Sequence, residues 1–374
     1  MTPNAPLRTP LYDRHVALGG RMVDFGGWDM AQQYTSIRDE HFAVREAAGL
    51  FDVSHMGRLI VEGAGAEAFL QQLLTNDIAA VEPGHAVYTL MCKEDGGVVD
   101  DLVVYRETGE RFLVVVNAAN RDKDTAWMRG HVQDQVSMVD QTLDLGLIAF
   151  QGPRAHELMP DDSSATEGIP YFGFQPGRVA GIDALISRTG YTGEDGFELF
   201  VQSDKIGGVW DAILATGKSA GVLPAGLGAR DATRLEAALR LYGNDMDESV
   251  NPYEAGLGWT VKLAKADFIG KAALARVKQE GPRRTLVGLK TDPANIPRHG
   301  AAVAVGGKRV GAVTSGTYSF FLGHPIALAL VEAASLRVGD RVVVDVRGRE
   351  APAEVVKLPF YRGSARSAGT PARS

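Results

Sequence analysis

The segment Arg188-Thr-Gly-Tyr-Thr-Gly-Glu-Asp-Gly-Phe-Glu198 interrupts an otherwise foldable run with three glycines and four charged side chains. Two segments of the same character are Gly96-Gly-Val-Val-Asp-Asp101 and Pro224-Ala-Gly-Leu-Gly-Ala-Arg-Asp231. Glycine at this density lets the backbone turn tightly or approach a ligand closely. Taken alone, each segment is more typical of a connecting loop than of a site. The three segments therefore mark candidate sites without identifying a ligand.

The regions between these segments carry both helix and strand patterns. Apolar residues recur at helical spacing in residues 69–74, in 209–214 after the candidate cap Asp204, and in 235–241 before Gly243. The clearest strand patterns are 102–106 and 112–116, joined through a turn. The first 280 residues therefore predict an α+β region.

The pattern changes near Gly281-Pro282. Short strand patterns with tight turns follow at 285–290, 301–305, 310–314 and 341–346. They predict a small β-barrel domain over residues 283–363. The polar, proline-bearing end of the chain predicts a disordered tail over 364–374.

Composition excludes several classes of function. The net charge of −7 argues against nucleic-acid binding, because that affinity comes largely from neutralising phosphates. A single cysteine, Cys92, and scattered histidines predict no disulfide and no metal site. No apolar run approaches the roughly 20 residues that span a bilayer, and the first fifteen residues lack a secretory pattern. We therefore expect a cytoplasmic protein without membrane contact that acts on a small or carrier-borne substrate.

Known cofactor fingerprints are missing from the sequence. It has no G-x-x-x-x-G-K-[ST], no H-E-x-x-H and no strand-linked G-x-G-x-x-G. The run Gly226-Leu-Gly-Ala-Arg230 lacks the third glycine and a preceding strand, so a dinucleotide site there is disfavoured.

Six blocks in order resemble the T-protein of the glycine cleavage system, a family of tetrahydrofolate-dependent aminomethyltransferases. The blocks are Asp24-Phe-Gly-Gly-Trp28, Phe51-Asp-Val-Ser-His-Met-Gly57, Gly96–Asp101, Arg188–Glu198, Gly226–Arg234 and Ser315-Gly316. The resemblance covers about residues 10–362. The chain departs from the family pattern at Ala31 and at Phe320-Phe321, where proline is usual, and both positions lie outside the blocks.

The resemblance implies a three-domain cloverleaf. Two intertwined α+β domains within residues 1–282 would surround a folate channel, and the β-barrel domain would follow. The implied reaction takes the aminomethyl group from the dihydrolipoyl arm of the lipoylated H-protein, releases ammonia and forms 5,10-methylenetetrahydrofolate. Tetrahydrofolate is thus the implied acceptor substrate, and no metal is implied.

The resemblance also assigns residues to folate binding. Glu198 matches a substrate contact, and a carboxylate can accept two parallel hydrogen bonds from the pterin edge. Arg230 matches a second contact, where its planar fork could hold a pterin oxygen or a folate carboxylate. Tyr361 matches a third, with a core aromatic as the alternative. Four further matches line the same pocket: Tyr88, Tyr105, Asn117 and Tyr191.

Asp101 matches the family's catalytic carboxylate. A carboxylate beside the reacting carbon can accept a proton and stabilise positive charge. Its neighbour Asp100 points the other way if the strand begins there, because side chains alternate along a strand, and is predicted to be a surface or turn carboxylate. Cys92 is predicted to be a small buried hydrophobe.

Other functions of the same fold remain open at this point. One is another tetrahydrofolate-dependent one-carbon transferase or demethylase, because substrate choice depends on pocket shape. A folate-binding accessory protein for iron–sulfur assembly is disfavoured, since the K-G-C-Y-x-G-Q-E segment is missing. Fusion to a flavin-dependent amine oxidase is disfavoured because the chain has no room for a dinucleotide-binding domain.

Overall fold

The computed structural model describes residues 5–132, 134–160, 166–333 and 335–366. The helices used below are α1 (Tyr12–Ala17), α2 (Ile37–Glu46), α3 (Ala66–Leu73), α4 (Arg121–His131), α5 (Ile206–Gly217), α6 (Leu227–Glu236) and α7 (Lys271–Glu280). The strands before the barrel are β1 (Leu7–Arg8), β2 (Met22–Phe25), β3 (Trp28–Ala31), β4 (Gly49–Asp52), β5 (Gly57–Glu62), β6 (His85–Cys92), β7 (Val98–Arg106), β8 (Arg111–Val116), β9 (Ser137–Asp140), β10 (Leu145–Gln151), β11 (Phe174–Val179), β12 (Ile182–Ser187), β13 (Gly196–Gln202) and β14 (Leu223–Pro224). The barrel strands are β15 (Arg284–Thr291), β16 (Ala302–Val305), β17 (Lys308–Ser319), β18 (His324–Glu332), β19 (Arg341–Val346) and β20 (Arg349–Val356).

The region before the barrel contains a three-stranded sheet, in the order β1-β3-β2, and two larger sheets. One has five strands in the order β6-β7-β8-β5-β9, and the other has six in the order β11-β12-β13-β10-β4-β14. Apolar side chains from both sheets, including Phe51, Tyr105 and Phe200, share one core. The chain enters the six-stranded sheet at β4, forms the whole five-stranded sheet, and then returns. The predicted α+β class and intertwined layout are therefore confirmed.

The C-terminal strands close into a six-stranded barrel in the order β15-β18-β17-β16-β19-β20. Its interior is apolar, with Leu289, Val313 and Val344 fully or almost fully buried. The barrel contacts α6 through a cluster that includes Leu235 and Leu328. The predicted barrel is thus confirmed, while the exact division after residue 282 stays a prediction.

Two helix predictions differ from the structure. The apolar spacing predicted a helix through Leu241, but α6 ends at Glu236. The backbone N–H of Ala238 donates to Leu235 O, and that of Leu239 donates to Arg234 O, while Ala238 has a φ of 54°. This left-handed cap closes the helix early without a glycine.

The second difference is at the start of α5. The predicted cap Asp204 lies outside the helix, whose N-cap position is Lys205 and lacks a side-chain cap bond. Burial of Val209, Trp210 and Ile213 fixes this helix instead, as their spacing predicted.

The predicted tail begins with ordered residues. Ser364–Arg366 form a short 3-10 helix, and Ser364 donates from its backbone N–H and its hydroxyl to Glu194 Oε2 at 3.0 and 2.7 Å. Disorder starting at Ser364 is therefore wrong for these three residues, because a buried carboxylate holds them. Residues 367–374 lie outside the described residues. None of the described helices is long and apolar enough to cross a membrane.

Candidate active site

The glycine-rich run 188–198 lies against Gln151. A Cβ on Gly190 would lie 1.8 Å from Gln151 Oε1, so only glycine permits this approach. Gln151 Nε2 donates to Thr189 O at 3.0 Å, and Gly193 turns the chain with a φ of +82°. The run therefore packs closely against Gln151, and this packing holds Thr189 next to the start of β13.

Glu198 has one occupied and one available carboxylate oxygen. Its Oε2 accepts hydrogen bonds from the hydroxyls of Thr189 and Tyr105, the latter at 3.2 Å. No described residue donates to Oε1. The half-buried carboxylate is thus fixed in orientation while one oxygen remains open to a ligand. Thr189 was missed as a positioning residue, although it belongs to the quoted run.

Tyr105 is enclosed by two other aromatic side chains. Only 1 % of its side chain is exposed, and its ring meets Phe174 and Phe200 edge-on at 5.5 and 5.2 Å. Neither ring face is therefore open to a pterin. Its hydroxyl instead helps to hold Glu198.

Asp101 lies within β7 rather than before it, opposite Leu90 of β6. Its Oδ2 accepts from the Tyr88 hydroxyl at 2.8 Å and its Oδ1 from Asn117 Nδ2 at 2.9 Å. Burial, and then the charge of Asp100, raise the pKa of Asp101 to about 7. The structure thus brings three predicted site residues together around a carboxyl group that titrates near neutrality.

Asp100 precedes Asp101 in β7, but it is not a surface or turn carboxylate. It is fully buried and accepts from Asn117 N, Asn117 Nδ2 and Asn120 Nδ2 at 3.2, 2.9 and 2.8 Å. The surface prediction is therefore wrong, because α4 and the turn before it cover this side chain.

Arg230 lies in the first turn of α6 with its guanidinium 4.7 Å from the ring centroid of Tyr191. Burial lowers the pKa of Arg230, and the charge on Glu198 opposes this. No described residue accepts a hydrogen bond from the guanidinium. The Tyr191 hydroxyl donates to Arg240 O, which fixes the ring beneath the cation. This half-buried cation therefore has no hydrogen-bond acceptor among the described residues.

Electrostatic interactions connect these groups. Asp101 and Arg230 both act on Tyr191, whose pKa burial raises well above its usual value. Glu198 acts in turn on Arg230. The predicted residues from β6, β7, β13 and α6 therefore surround one region.

Tyr361 belongs to a separate cluster. Arg45 lies over its ring at 4.4 Å, and Phe321, one of the two departures from the family pattern, meets its ring at 5.2 Å. Arg45 is buried and donates to Glu194 and Glu236 at 2.8 and 2.7 Å. No contact in the described residues joins Tyr361 to Asp101 or Glu198.

Trp259 was not found from the sequence. It is 58 % exposed and stacks on Tyr88 with ring centroids 5.9 Å apart. A large exposed aromatic on the tyrosine that donates to Asp101 is a candidate contact for an incoming group. Its signal in the sequence is weak, because an isolated tryptophan is usually a core residue. Cys92 is buried, and burial raises its thiol pKa, as predicted for an inert hydrophobe.

Comparison with known proteins gives one family over nearly the whole chain. Residues 11–265 match the GCVT N-terminal domain, and residues 284–362 match the glycine cleavage T-protein C-terminal barrel domain. An aminomethyltransferase of Geobacillus kaustophilus is 50% identical over 359 residues, covering 95% of this chain and 98% of the relative. One of Thermotoga neapolitana is 50% identical over 361 residues, covering 96% and 99%. A crystal structure of glycine cleavage system aminomethyltransferase T from Bartonella henselae superposes with a TM-score of 0.89 at 33% identity, covering 96% of this chain and 98% of that one. The resemblance is confirmed: the chain belongs to the glycine cleavage T-protein family and is an aminomethyltransferase.

Proposed function

We propose that the chain takes the one-carbon unit from the aminomethyl-dihydrolipoyl arm of H-protein and transfers it to tetrahydrofolate in the cytoplasm. Ammonia is released and 5,10-methylenetetrahydrofolate forms. The observation that carries this proposal is Asp101, a carboxyl group held by Tyr88 and Asn117 whose pKa lies near 7. A group that titrates near the working pH is suited to accept and return a proton.

Glu198 and Arg230 are the proposed folate contacts. The open Oε1 of Glu198 can accept a hydrogen bond from the pterin edge, while Thr189 and Tyr105 hold Oε2. The unpaired guanidinium of Arg230 can donate to a pterin oxygen or a folate carboxylate. Both groups are thus chemically complementary to the predicted acceptor. Tyr361 remains a predicted folate contact, with its ring held by Arg45.

The transfer exchanges two bonds at one carbon. The carbon loses its bonds to nitrogen and sulfur and gains bonds to two folate nitrogens. Each folate nitrogen gives up one proton: one ends on the leaving thiolate and the other on the released ammonia. Asp101 is proposed to accept a proton as the first folate nitrogen attacks and to stabilise the positive charge that develops at the carbon. Tyr88 and Asn117 keep this carboxylate oriented.

Trp259 extends the site towards the surface. Its indole is exposed and stacked on the same Tyr88 that donates to Asp101. We propose that the dihydrolipoyl arm passes over this ring and that H-protein docks around it. Transient complexes of this kind often have small, partly polar interfaces.

The decisive experiment combines the purified chain with tetrahydrofolate and aminomethylated H-protein. Ammonia and methylenetetrahydrofolate should appear in equal amounts. Equal ammonia release without tetrahydrofolate would contradict the proposed transfer. A methylated small molecule that replaced aminomethylated H-protein as the better donor would instead identify a demethylase of the same fold.

A further inference from the structure

A second buried carboxyl group lies behind Asp100. Asp124 on α4 is fully buried, and neither of its oxygens has a donor among the other described residues. Asp100 lies close enough that a hydrogen bond to it, after burial, raises the pKa of Asp124. Two carboxyl groups can form such a bond only if one of them carries a proton, so the two aspartates share one proton.

The charge of this pair follows from its surroundings. Burial, and then the hydrogen bond and charge of Asp100, raise the pKa of Asp124 to about 10. The proton therefore remains on the pair at neutral pH, and the pair carries one negative charge. The proton lies on Asp124, because the oxygens of Asp100 already accept three N–H hydrogen bonds from Asn117 and Asn120.

Asn117 connects the pair to Asp101. Its Nδ2 lies 2.9 Å from Asp100 Oδ1 and 2.9 Å from Asp101 Oδ1, and it also donates to Asp101 O at 3.1 Å. The amide is therefore shared between the two neighbouring carboxylates. A loss of charge at Asp100 acts directly on Asp101, and a change in its orientation acts through Asn117.

We propose that Asp100 and Asp124 are positioning residues for the transfer: together they hold Asn117 against Asp101 and place a fixed negative charge behind it. The inference rests on the proposed role of Asp101. Its functional consequence is a carboxylate that is basic enough to accept a proton near neutral pH, which an isolated aspartate is not.

Other titratable groups that face the three aspartates do not make Asp101 more basic. Lys123 donates to Val99 O and to the Tyr242 hydroxyl at 2.5 and 3.0 Å, and its positive charge opposes protonation of Asp124. Burial raises the phenol pKa values of Tyr88, Tyr191 and Tyr242 further above their usual value near 10, so these rings stay uncharged at neutral pH. Arg240, which faces Tyr88 and Tyr191, is a cation and would lower the pKa of a nearby carboxyl group.

The test compares the pH profile of kcat in two variants, each of which changes one aspartate to asparagine. Asp100→Asn removes the charge beside Asp101. The acidic limb of the kcat profile of this variant should therefore move to lower pH by about one unit. Asp124→Asn keeps a permanent donor to Asp100 and leaves the charge in place, so its acidic limb should stay where the wild type has it. The double variant should behave as Asp100→Asn. Asp52→Asn, at a buried aspartate paired with His15, is the control for simple loss of stability.

The inference would be overturned if the acidic limb of the kcat profile did not shift in Asp100→Asn, or if it shifted equally in both single variants. If Asp100→Asn is inactive, the pH dependence of its unfolding free energy gives a second readout. Wild type should lose stability as the pH rises towards 7, and Asp100→Asn should do so at lower pH; identical curves would again overturn the inference. Failure of the wild type to make methylenetetrahydrofolate would refute the proposed function alone, because the unfolding readout needs no substrate.

Discussion

Asp101→Asn should inactivate the protein and stabilise it at the same time. The substitution is nearly isosteric: the new side chain keeps an oxygen that can accept from Asn117, and its amide can donate to the hydroxyl oxygen of Tyr88. What it removes is a negative charge next to the charge of Asp100. The fold therefore loses a repulsion, while the site loses its proton acceptor.

The stability effect depends on pH in a defined direction. The pKa of Asp101 rises from 3.8 in the unfolded chain to about 7 in the fold, so the folded state binds the proton more tightly. Wild-type stability is therefore fully present below pH 4 and falls as the pH rises to 7. A shift of this size corresponds to at most about 4 kcal/mol. Because Asp101 is partly exposed, solvent screening reduces this to about 1–2 kcal/mol.

Two measurements check the prediction. Denaturant unfolding at pH 8 should show Asp101→Asn more stable than wild type by about 1–2 kcal/mol, with the difference vanishing at pH 4. Transfer from aminomethylated H-protein at saturating tetrahydrofolate should fall by about 100-fold or more, while folate affinity stays within a few-fold. Near-normal turnover would refute the catalytic assignment, and catalysis would then rest on orientation alone. A variant less stable than wild type at pH 8 would refute the electrostatic reasoning.

Two further predictions concern the substrates. Glu198→Gln should weaken tetrahydrofolate binding in calorimetry by about 1–3 kcal/mol, because its amide presents a donor where the pterin edge also donates; an affinity equal to that of the exposed control Glu46→Gln would remove Glu198 from the site. Trp259→Ala should raise KM for aminomethylated H-protein by about 10-fold without changing folate affinity, as expected for an aromatic contact residue. Trp259→Phe should recover most of the wild-type KM, and the exposed control Val338→Ala should leave KM unchanged. If KM for free aminomethyl-dihydrolipoamide rose by the same factor, the effect would lie on the arm rather than on H-protein docking.

The sequence predicted those features of the site that depend on local order. The run 96–101 ends at the acidic pair Asp100-Asp101 within β7, and the run 188–198 ends at Glu198, whose Oε1 accepts from no described residue. Both follow from spacing within a few residues. The resemblance added which of these side chains belong together, and the structure brings Tyr88 and Asn117 to Asp101 as it implied.

The missed features depend on contacts between distant segments. The Tyr105 hydroxyl reaches Glu198 across 93 residues of sequence, so no local pattern could reveal that this ring is a support rather than a stacking surface. Asp100 was predicted to be exposed because carboxylates usually are, whereas α4 supplies the groups that bury it. The spacing of Asn120 and Asp124 offered a signal, since residues four apart share one face of a helix.

The site has electrostatic costs that a fold selected only for stability would avoid. Burial, and then the charge of the adjacent Asp100, raise the pKa of Asp101, and Arg230 is a half-buried cation for which no described residue provides a hydrogen-bond acceptor. Pairing Arg230 with a protein carboxylate, or replacing Asp101 by a neutral residue, would remove those costs. Both costs fall on groups that the proposed reaction uses, one to bind folate and one to accept a proton. A gain in stability together with a loss of turnover in Asp101→Asn is therefore the result that separates a functional carboxylate from a structural one, since a structural carboxylate would lose stability when neutralised.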